Sequence, residues 1–175
     1  MNNVATLQST ATPARTARAL LVAAAAETVI VIAHFAHGAH IYDDPSRLHV
    51  VHPAIGAFIL TVALTMLALW RPHKITLIAL AAVVAVPYIG AFGLFHGGFS
   101  HLIKDVFWLA GASQDTLESH FLNPDYAFPD DVVFEVGGIL TLAAAGFVAS
   151  RLTRFVRTAW TATKPQRTAA DGARA

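Results

Sequence analysis

Histidines crowd one short stretch of this sequence. His34, His37 and His40 are spaced three apart, and His49 and His52 repeat that spacing after a short acidic turn. Residues three apart on an α-helix have neighbouring side chains, with about 5–6 Å between their β-carbons. Each pair can therefore present two imidazoles to one ligand, and imidazole suits Zn, Fe, Cu and Ni. The spacing predicts a transition-metal or haem site.

Two further residues complete the predicted site. His96 follows a later apolar segment, and Glu135 lies about one turn inside the last one. Metal sites in helical bundles are built from side chains on several facing helices. We predict that the metal ligands are His34, His37, His52 and His96, because these are the deepest of the histidines and come from three helices. Glu135 is predicted to be a catalytic residue, as a ligand or general base.

The remaining histidines have a simpler interpretation. Four of them are expected to lie closest to water, where aspartates would satisfy them. The four are His40, His49, His101 and His120. His73 lies among cations and is expected to be an ordinary surface residue. An imidazole at membrane depth is costly without a partner, which favours a ligand or hydrogen-bonding role for His34 and His96.

Glu27 is the second unusual residue. It lies seven residues before His34 in an otherwise apolar segment, about 10 Å deeper along nearly the same helical face. An ionisable group at that depth indicates function by default, so Glu27 is predicted to be catalytic or to relay protons. The alternative is a neutral carboxyl that is hydrogen-bonded to Thr61, Thr65 or Thr141 and serves helix packing.

The elements that must position these residues are membrane helices. The chain has 175 residues, of which 55% are hydrophobic and 13% charged, a balance that is wrong for a soluble domain. A transmembrane helix needs about 20 mostly apolar residues. Four such runs are present, at about 19–41, 50–70, 75–95 and 132–150. The lipid bilayer is therefore a predicted partner.

These runs predict an all-α fold, an integral membrane antiparallel four-helix transmembrane bundle over residues 15–158. Residues 97–131 are expected to form a partly helical outer, extracytoplasmic cap. Gly97-Gly98 marks the expected end of the third helix, and residues 101–112 are expected to form a helix in the membrane interface. Residues 1–14 are predicted to be a disordered cytoplasmic tail, and 159–175 a basic cytoplasmic tail.

The distribution of cations predicts the orientation. Only Arg47 and Lys104 fall on one side of the predicted membrane. The other ten cations are Arg15, Arg18, Arg71, Lys74, Arg151, Arg154, Arg157, Lys164, Arg167 and Arg174. Because the cytoplasmic segments of membrane proteins carry an excess of Lys and Arg, this multi-pass protein is expected to have both its N- and C-termini in the cytoplasm. Eight of the nine histidines are then expected on or near the outer face.

Composition also excludes some functions. The chain has no cysteine, so it has no disulfide, thiolate ligand or cysteine nucleophile. The basic residues flank apolar segments and form no stripe, which argues against nucleic acid as a partner. The chemistry that remains is that of imidazole and carboxylate.

Three classes of function remain open. The first is a membrane oxidoreductase or hydrolase that uses Fe, Cu, Zn or haem on an apolar small-molecule substrate entering from lipid. The second is a metal-ion or proton transporter or its accessory protein, although few polar groups lie between Glu27 and the cytoplasm. The third is a non-catalytic subunit of a homo-oligomer or larger membrane complex, with contacts made by the small residues of the last helix.

Overall fold

The computed structural model describes residues 12–121 and 131–162. These residues are almost entirely helical and include no strand, which confirms the all-α prediction. The predicted tails, 1–14 and 159–175, lie largely outside the described residues, as does part of the predicted cap.

Five helices follow one another in the part of the chain that the structure describes. They are α1 (Pro13–Ile41), α2 (Val51–Trp70), α3 (Lys74–Leu109), α4 (Gln114–His120) and α5 (Val132–Ala162). A 3₁₀ turn, Pro45–Val50, leads directly into α2. Four helices, α1, α2, α3 and α5, are long and apolar enough to cross a membrane. The chain is therefore a multi-pass membrane protein by the length and composition of its helices.

Helix α1 starts where its sequence provides a cap. The Thr12 hydroxyl accepts a hydrogen bond from the Arg15 backbone amide, and Pro13 occupies the first helical position, where no amide hydrogen is needed. Buried positions then recur every three or four residues and include Leu20, Ala24, Glu27, Val31 and His34. Glu27 and His34 consequently lie on the same buried face, as the spacing predicted.

The link between α1 and α2 is fixed by Asp44. Its Oδ1 accepts hydrogen bonds from the Ser46 hydroxyl at 2.5 Å and from the Ser46 backbone amide at 3.1 Å. Arg47 Nε lies 3.3 Å from the other carboxylate oxygen. The Ser46 hydroxyl, followed by the amide and the Arg47 charge, holds the pKa of Asp44 below its ordinary value. The charged carboxylate therefore stabilises the turn.

Helix α3 does not end at Gly97-Gly98. It is α-helical over Lys74–Val84, changes to i→i+5 hydrogen bonding over Ala85–Ile103, and ends as an α-helix at Leu109. The structure thus extends the helix that was predicted to stop near residue 95, and what was predicted as a separate interfacial helix is its last part.

The glycines of α3 explain why the helix continues. A β-carbon on Gly97 would lie 2.5 Å from Thr141 Oγ1 and 2.6 Å from the Gly138 carbonyl oxygen, and one on Gly93 would overlap Ala145. These glycines bring the backbones of α3 and α5 close together instead of ending the helix. Small residues on α5 therefore lie in close contact with α3.

Helix α5 packs against both α1 and α3, and α2 packs against α1 and the first part of α3. Gly38, near the end of α1, lies against Phe134 at the beginning of α5. Arg15, at the start of α1, lines a cavity together with Arg154 of the later part of α5. Contact with α5 therefore runs the length of α1, and it places the end of α1 beside α3.

Candidate metal centre

Three histidines from two helices converge in the structure. His34 belongs to α1, and His96 and His101 belong to the i→i+5 stretch of α3. His34 and His101 are buried, with 4% and 2% of their surface exposed, and His96 is partly buried. One nitrogen of each ring lies within 4.8 Å of the other two, and His34 Nε2 lies 2.8 Å from His96 Nε2. We call these three residues the histidine triad.

The triad has the dimensions of a metal site. Zinc lies about 2.0–2.1 Å from histidine nitrogens, so ligand nitrogens of a tetrahedral site are about 3.3 Å apart. The nitrogen separations in the triad, from 2.8 Å to at most 4.8 Å, include this value. The three nitrogens are therefore close enough that one ion could be held by all three.

Neighbouring residues hold the rings in place. The Phe134 ring stacks on His34 with centroids 4.4 Å apart, and Phe35 stacks on His96 at 4.6 Å. On α5, a β-carbon at Gly137 would lie 2.8 Å from His34 Nδ1, and one at Gly138 would overlap the His101 ring. Helix α5 supplies none of the three rings, yet it forms the surface against which they rest.

Glu135 fixes the orientation of His101. His101 Nδ1 donates a hydrogen bond to Glu135 Oε2 at 2.7 Å, and Lys104 Nζ donates one to Glu135 Oε1, also at 2.7 Å. Lys104 is itself buried, with 5% exposed. A carboxylate on the outer nitrogen of a histidine selects the tautomer that leaves the other nitrogen free for a metal. By this rule a metal-binding role for His101 would use Nε2, the nitrogen that does not bond to Glu135.

The unusual helical geometry of α3 brings His96 and His101 together. In a regular α-helix, residues five apart point about 140° away from each other around the axis. With i→i+5 hydrogen bonds, residues five apart lie on the same side of the helix, and the two ring centroids are 4.8 Å apart. π-Helical hydrogen bonding is rare and occurs mostly as single turns within α-helices, frequently at functional sites.

The predicted ligands fall into two groups. His34 and His96 lie together, whereas His37 and His52 are not members of the triad. His37 Nε2 donates instead to Asp131 Oδ1 at 2.9 Å, and this bond is the main cause that lowers the pKa of Asp131 below its ordinary value. His52 is exposed at the start of α2. A ligand role for His37 and His52 stays a prediction from sequence.

His101 was expected near water, and the structure corrects this expectation. The prediction assumed that the helix breaks at Gly97-Gly98, whereas the continuous helix carries His101 into the protein. One signal in the sequence could have located it. Glycine pairs at 97–98 and 137–138 mark two backbones that can approach closely, and histidines flank the first pair on both sides.

Glu27 is fully buried, and neither of its carboxylate oxygens has a hydrogen-bond partner among the described residues. The threonines proposed as its partners bond elsewhere or not at all. Thr61 donates to the Ala57 carbonyl oxygen and Thr141 to backbone carbonyls, while Thr65 Oγ1 is also buried without a partner. The alternative in which threonines satisfy Glu27 is thus not seen in the structure.

A cavity of about 410 Å³ lies between α1 and α5 beside the triad. Its wall is mainly apolar and includes Ile30, Val136 and Leu140, together with His34 and His37. Because His34 lines the cavity and also belongs to the triad, an apolar molecule in the cavity would contact a residue of the candidate metal site.

The fold and the site together define a class: a multi-pass membrane protein with three close histidines that could hold a metal ion. Comparison with protein-family models, with curated proteins and with solved structures found no match.

Proposed function

We propose that this protein is a metal-dependent membrane enzyme in which His34, His96 and His101 bind one Fe, Cu or Zn ion. The observation that carries the proposal is the convergence of three ligand nitrogens, one ring being held by Glu135 through its other nitrogen. Sites with three protein ligands keep a position open for water or substrate, which is the arrangement of catalytic metals.

A bare ion fits the geometry better than haem. Two imidazoles that bind haem iron from opposite faces must leave room for the macrocycle between them. His34 Nε2 and His96 Nε2 are only 2.8 Å apart, and the third ring lies beside both. Such spacing supports one small ion shared by the rings.

The substrate we propose is an apolar small molecule that enters from the lipid. The 410 Å³ cavity supports this choice, because its wall is mainly apolar and reaches His34. The metal would activate oxygen or water at its open position, for an oxidoreductase or a hydrolase respectively. Glu135 would keep His101 oriented during the reaction, and Lys104 would keep Glu135 charged.

The arrangement in the membrane is also a proposal. We propose an antiparallel bundle of α1, α2, α3 and α5, with the triad toward the outer face, a cap over it, and both termini in the cytoplasm. The antiparallel arrangement is supported by two contacts, because the end of α1 meets the beginning of α5 and the beginning of α1 meets the later part of α5. The orientation is supported by the distribution of cations.

One observation favours a second function, the transport of protons or metal ions. Glu27 is buried on the same face of α1 as His34, and no described residue forms a hydrogen bond with its carboxyl group. A mid-membrane carboxyl of this kind is typical of relays in transporters. In that case the triad would collect the ion, and Glu27 would carry the proton or cation onward.

The experiment is metal analysis of protein purified without chelator, together with its optical spectrum. Single substitutions test the ligands: His34→Ala, His96→Ala and His101→Ala are each expected to lower the metal content strongly. His73→Ala, at an exposed position outside the triad, is the matched control and should keep the metal. Circular dichroism of each variant separates loss of metal from loss of fold.

Two results would overturn the proposal. Protein that contains no metal and takes none up from Fe(II), Cu(II) or Zn(II) would exclude a metal site. Loss of metal in His52→Ala with retention in His101→Ala would replace the triad by the ligand set predicted from sequence.

A further inference from the structure

We propose a second binding site, for the phosphate of an anionic lipid, at the end of α1 and α5 that is remote from the triad. A cavity of about 250 Å³ lies there between the two helices. Its lining residues are Arg15, Thr16 and Ala19 of α1 and Arg151 and Arg154 of α5. Three of these five residues are arginines, so positive charge is concentrated at the cavity.

The charge of these arginines needs a counter-ion. Among the described residues, no carboxylate forms an ion pair with Arg15, Arg151 or Arg154. Three cations that are close together repel one another, and a bound anion would remove that repulsion. Guanidinium groups present planar, paired donors that match a phosphate better than a point charge would.

Arg151 gives the independent sign that a ligand belongs here. Its Nε is buried and has no hydrogen-bond partner among the described residues. The guanidinium carbon lies 4.3 Å from the centre of the Phe147 ring, which holds the group in a fixed direction. A buried donor without an acceptor is costly, and a phosphate oxygen in the cavity would supply the acceptor.

The N-terminus of α1 adds to the positive potential at the cavity. Arg15 and Thr16 belong to the first turn of α1, where the helix dipole favours an anion. The Thr16 hydroxyl donates to the Pro13 carbonyl oxygen at 3.0 Å, which leaves its oxygen lone pairs and not its hydrogen for other contacts. The arginines are therefore the donors that we assign to the phosphate.

A lipid suits the cavity better than free phosphate. Ala19 lines its wall and Phe147 lies directly beneath Arg151, so apolar surface borders the charged group. The site lies near an end of two membrane-spanning helices, where lipid headgroups are expected. A molecule with a phosphate and an acyl chain matches both parts of the cavity.

The test compares two pairs of substitutions that remove the same charge. Arg151→Gln with Arg154→Gln changes the cavity. Arg18→Gln with Arg157→Gln changes exposed arginines of the same helices that do not line it. Delipidated protein is titrated with phosphatidylglycerol, phosphatidylcholine or inorganic phosphate, and binding is followed by native mass spectrometry and thermal unfolding.

We expect phosphatidylglycerol to bind the unaltered protein and the control pair alike. The cavity pair should bind it at least about tenfold more weakly, since the loss of even one charged hydrogen bond has an effect of that size. Equal weakening in both pairs would show non-specific attraction and overturn the site. Binding of phosphatidylcholine as strong as that of phosphatidylglycerol would do the same, and equal stabilisation by inorganic phosphate would assign the cavity to free phosphate instead of lipid.

Discussion

Glu135 connects a buried histidine to a buried lysine, so its charge affects both. Glu135→Gln should weaken metal binding about 10- to 100-fold, because the carboxylate that orients His101 is lost while the shape is kept. Affinity is measured by competition with a chelator. Glu118→Gln, which removes a carboxylate on α4 that accepts a hydrogen bond from Gln114, is the control. Unchanged affinity in Glu135→Gln would show that Glu135 does not support the site.

Glu27 lends itself to a test of stability. A buried carboxyl without a hydrogen-bond partner lowers the free energy of unfolding by about 1–3 kcal/mol. Neither carboxyl oxygen of Glu27 has such a partner among the described residues. Glu27→Leu should therefore raise the free energy of unfolding by about that amount, whereas Glu27→Gln should change it little. Thermal unfolding in detergent measures both. A loss of stability in Glu27→Leu would mean that the carboxyl is satisfied and serves packing.

Individual residues differed in how far the sequence could place them. His34 could be identified because helical spacing sets depth and face within one segment. His101 could not, because its position depends on whether a helix continues past two glycines, and that is decided by the contact of Gly97 with Thr141 on another helix. Glu27 could be located, but its lack of partners could not, since hydrogen bonding depends on three other helices.

At the level of elements, α5 acts as a template whose small residues decide where the rings lie. Gly138→Ala would place a methyl group in the space of the His101 ring, whereas a β-carbon on Gly146 meets nothing within 4 Å. We expect Gly138→Ala to cost about 1–3 kcal/mol of stability and to weaken metal binding. Gly146→Ala should be neutral or stabilising by up to about 1 kcal/mol. Thermal unfolding and metal titration compare the two variants. Equal stability and equal metal affinity in both would show that the small residues of α5 do not position the rings.

The turn between α1 and α2 gives a prediction about pH. Because the folded protein lowers the pKa of Asp44 below its ordinary value of 3.8, the carboxylate stabilises the fold fully above that pH. This contribution is lost as the pH falls from 3.8 toward the lowered value. Asp44→Asn should therefore reduce the acid-side decline in stability, measured as the melting temperature between about pH 3 and 6. An unchanged decline would show that Asp44 is not a source of it.

The elements themselves were largely predictable. Four apolar runs gave the four long helices, and the Thr12, Ser113 and Asp131 side chains cap the helices that follow them. The course of α3 was not predictable from apolar length alone. A run of glycines is typical both of a helix end and of a close helix contact. Only the position of α5 decides between these meanings.

For the whole molecule, the testable feature is its orientation in the membrane. Single cysteines can be placed at exposed positions by Ser46→Cys, Ser113→Cys and Thr161→Cys, in a chain without native cysteine. On intact cells, a membrane-impermeant thiol reagent should label the first two and not the third, because cations cluster near Thr161. Lysed cells provide the control for reactivity. Labelling of Thr161→Cys alone would reverse the orientation.

The hydrogen bond between His34 and His96 has a consequence for how an ion could enter. That bond requires a hydrogen on one Nε2, whereas a metal bound by both rings requires both lone pairs. Proton and metal therefore compete for the same pair of atoms. In a neutral ring the displaced hydrogen moves to Nδ1, and in His34 that atom is buried against Gly137 without an acceptor. Metal binding therefore requires one histidine to change its tautomer, and the free energy of that change lowers the metal affinity. The change is easier if His96 is the donor, because His34 then already carries its hydrogen on Nδ1.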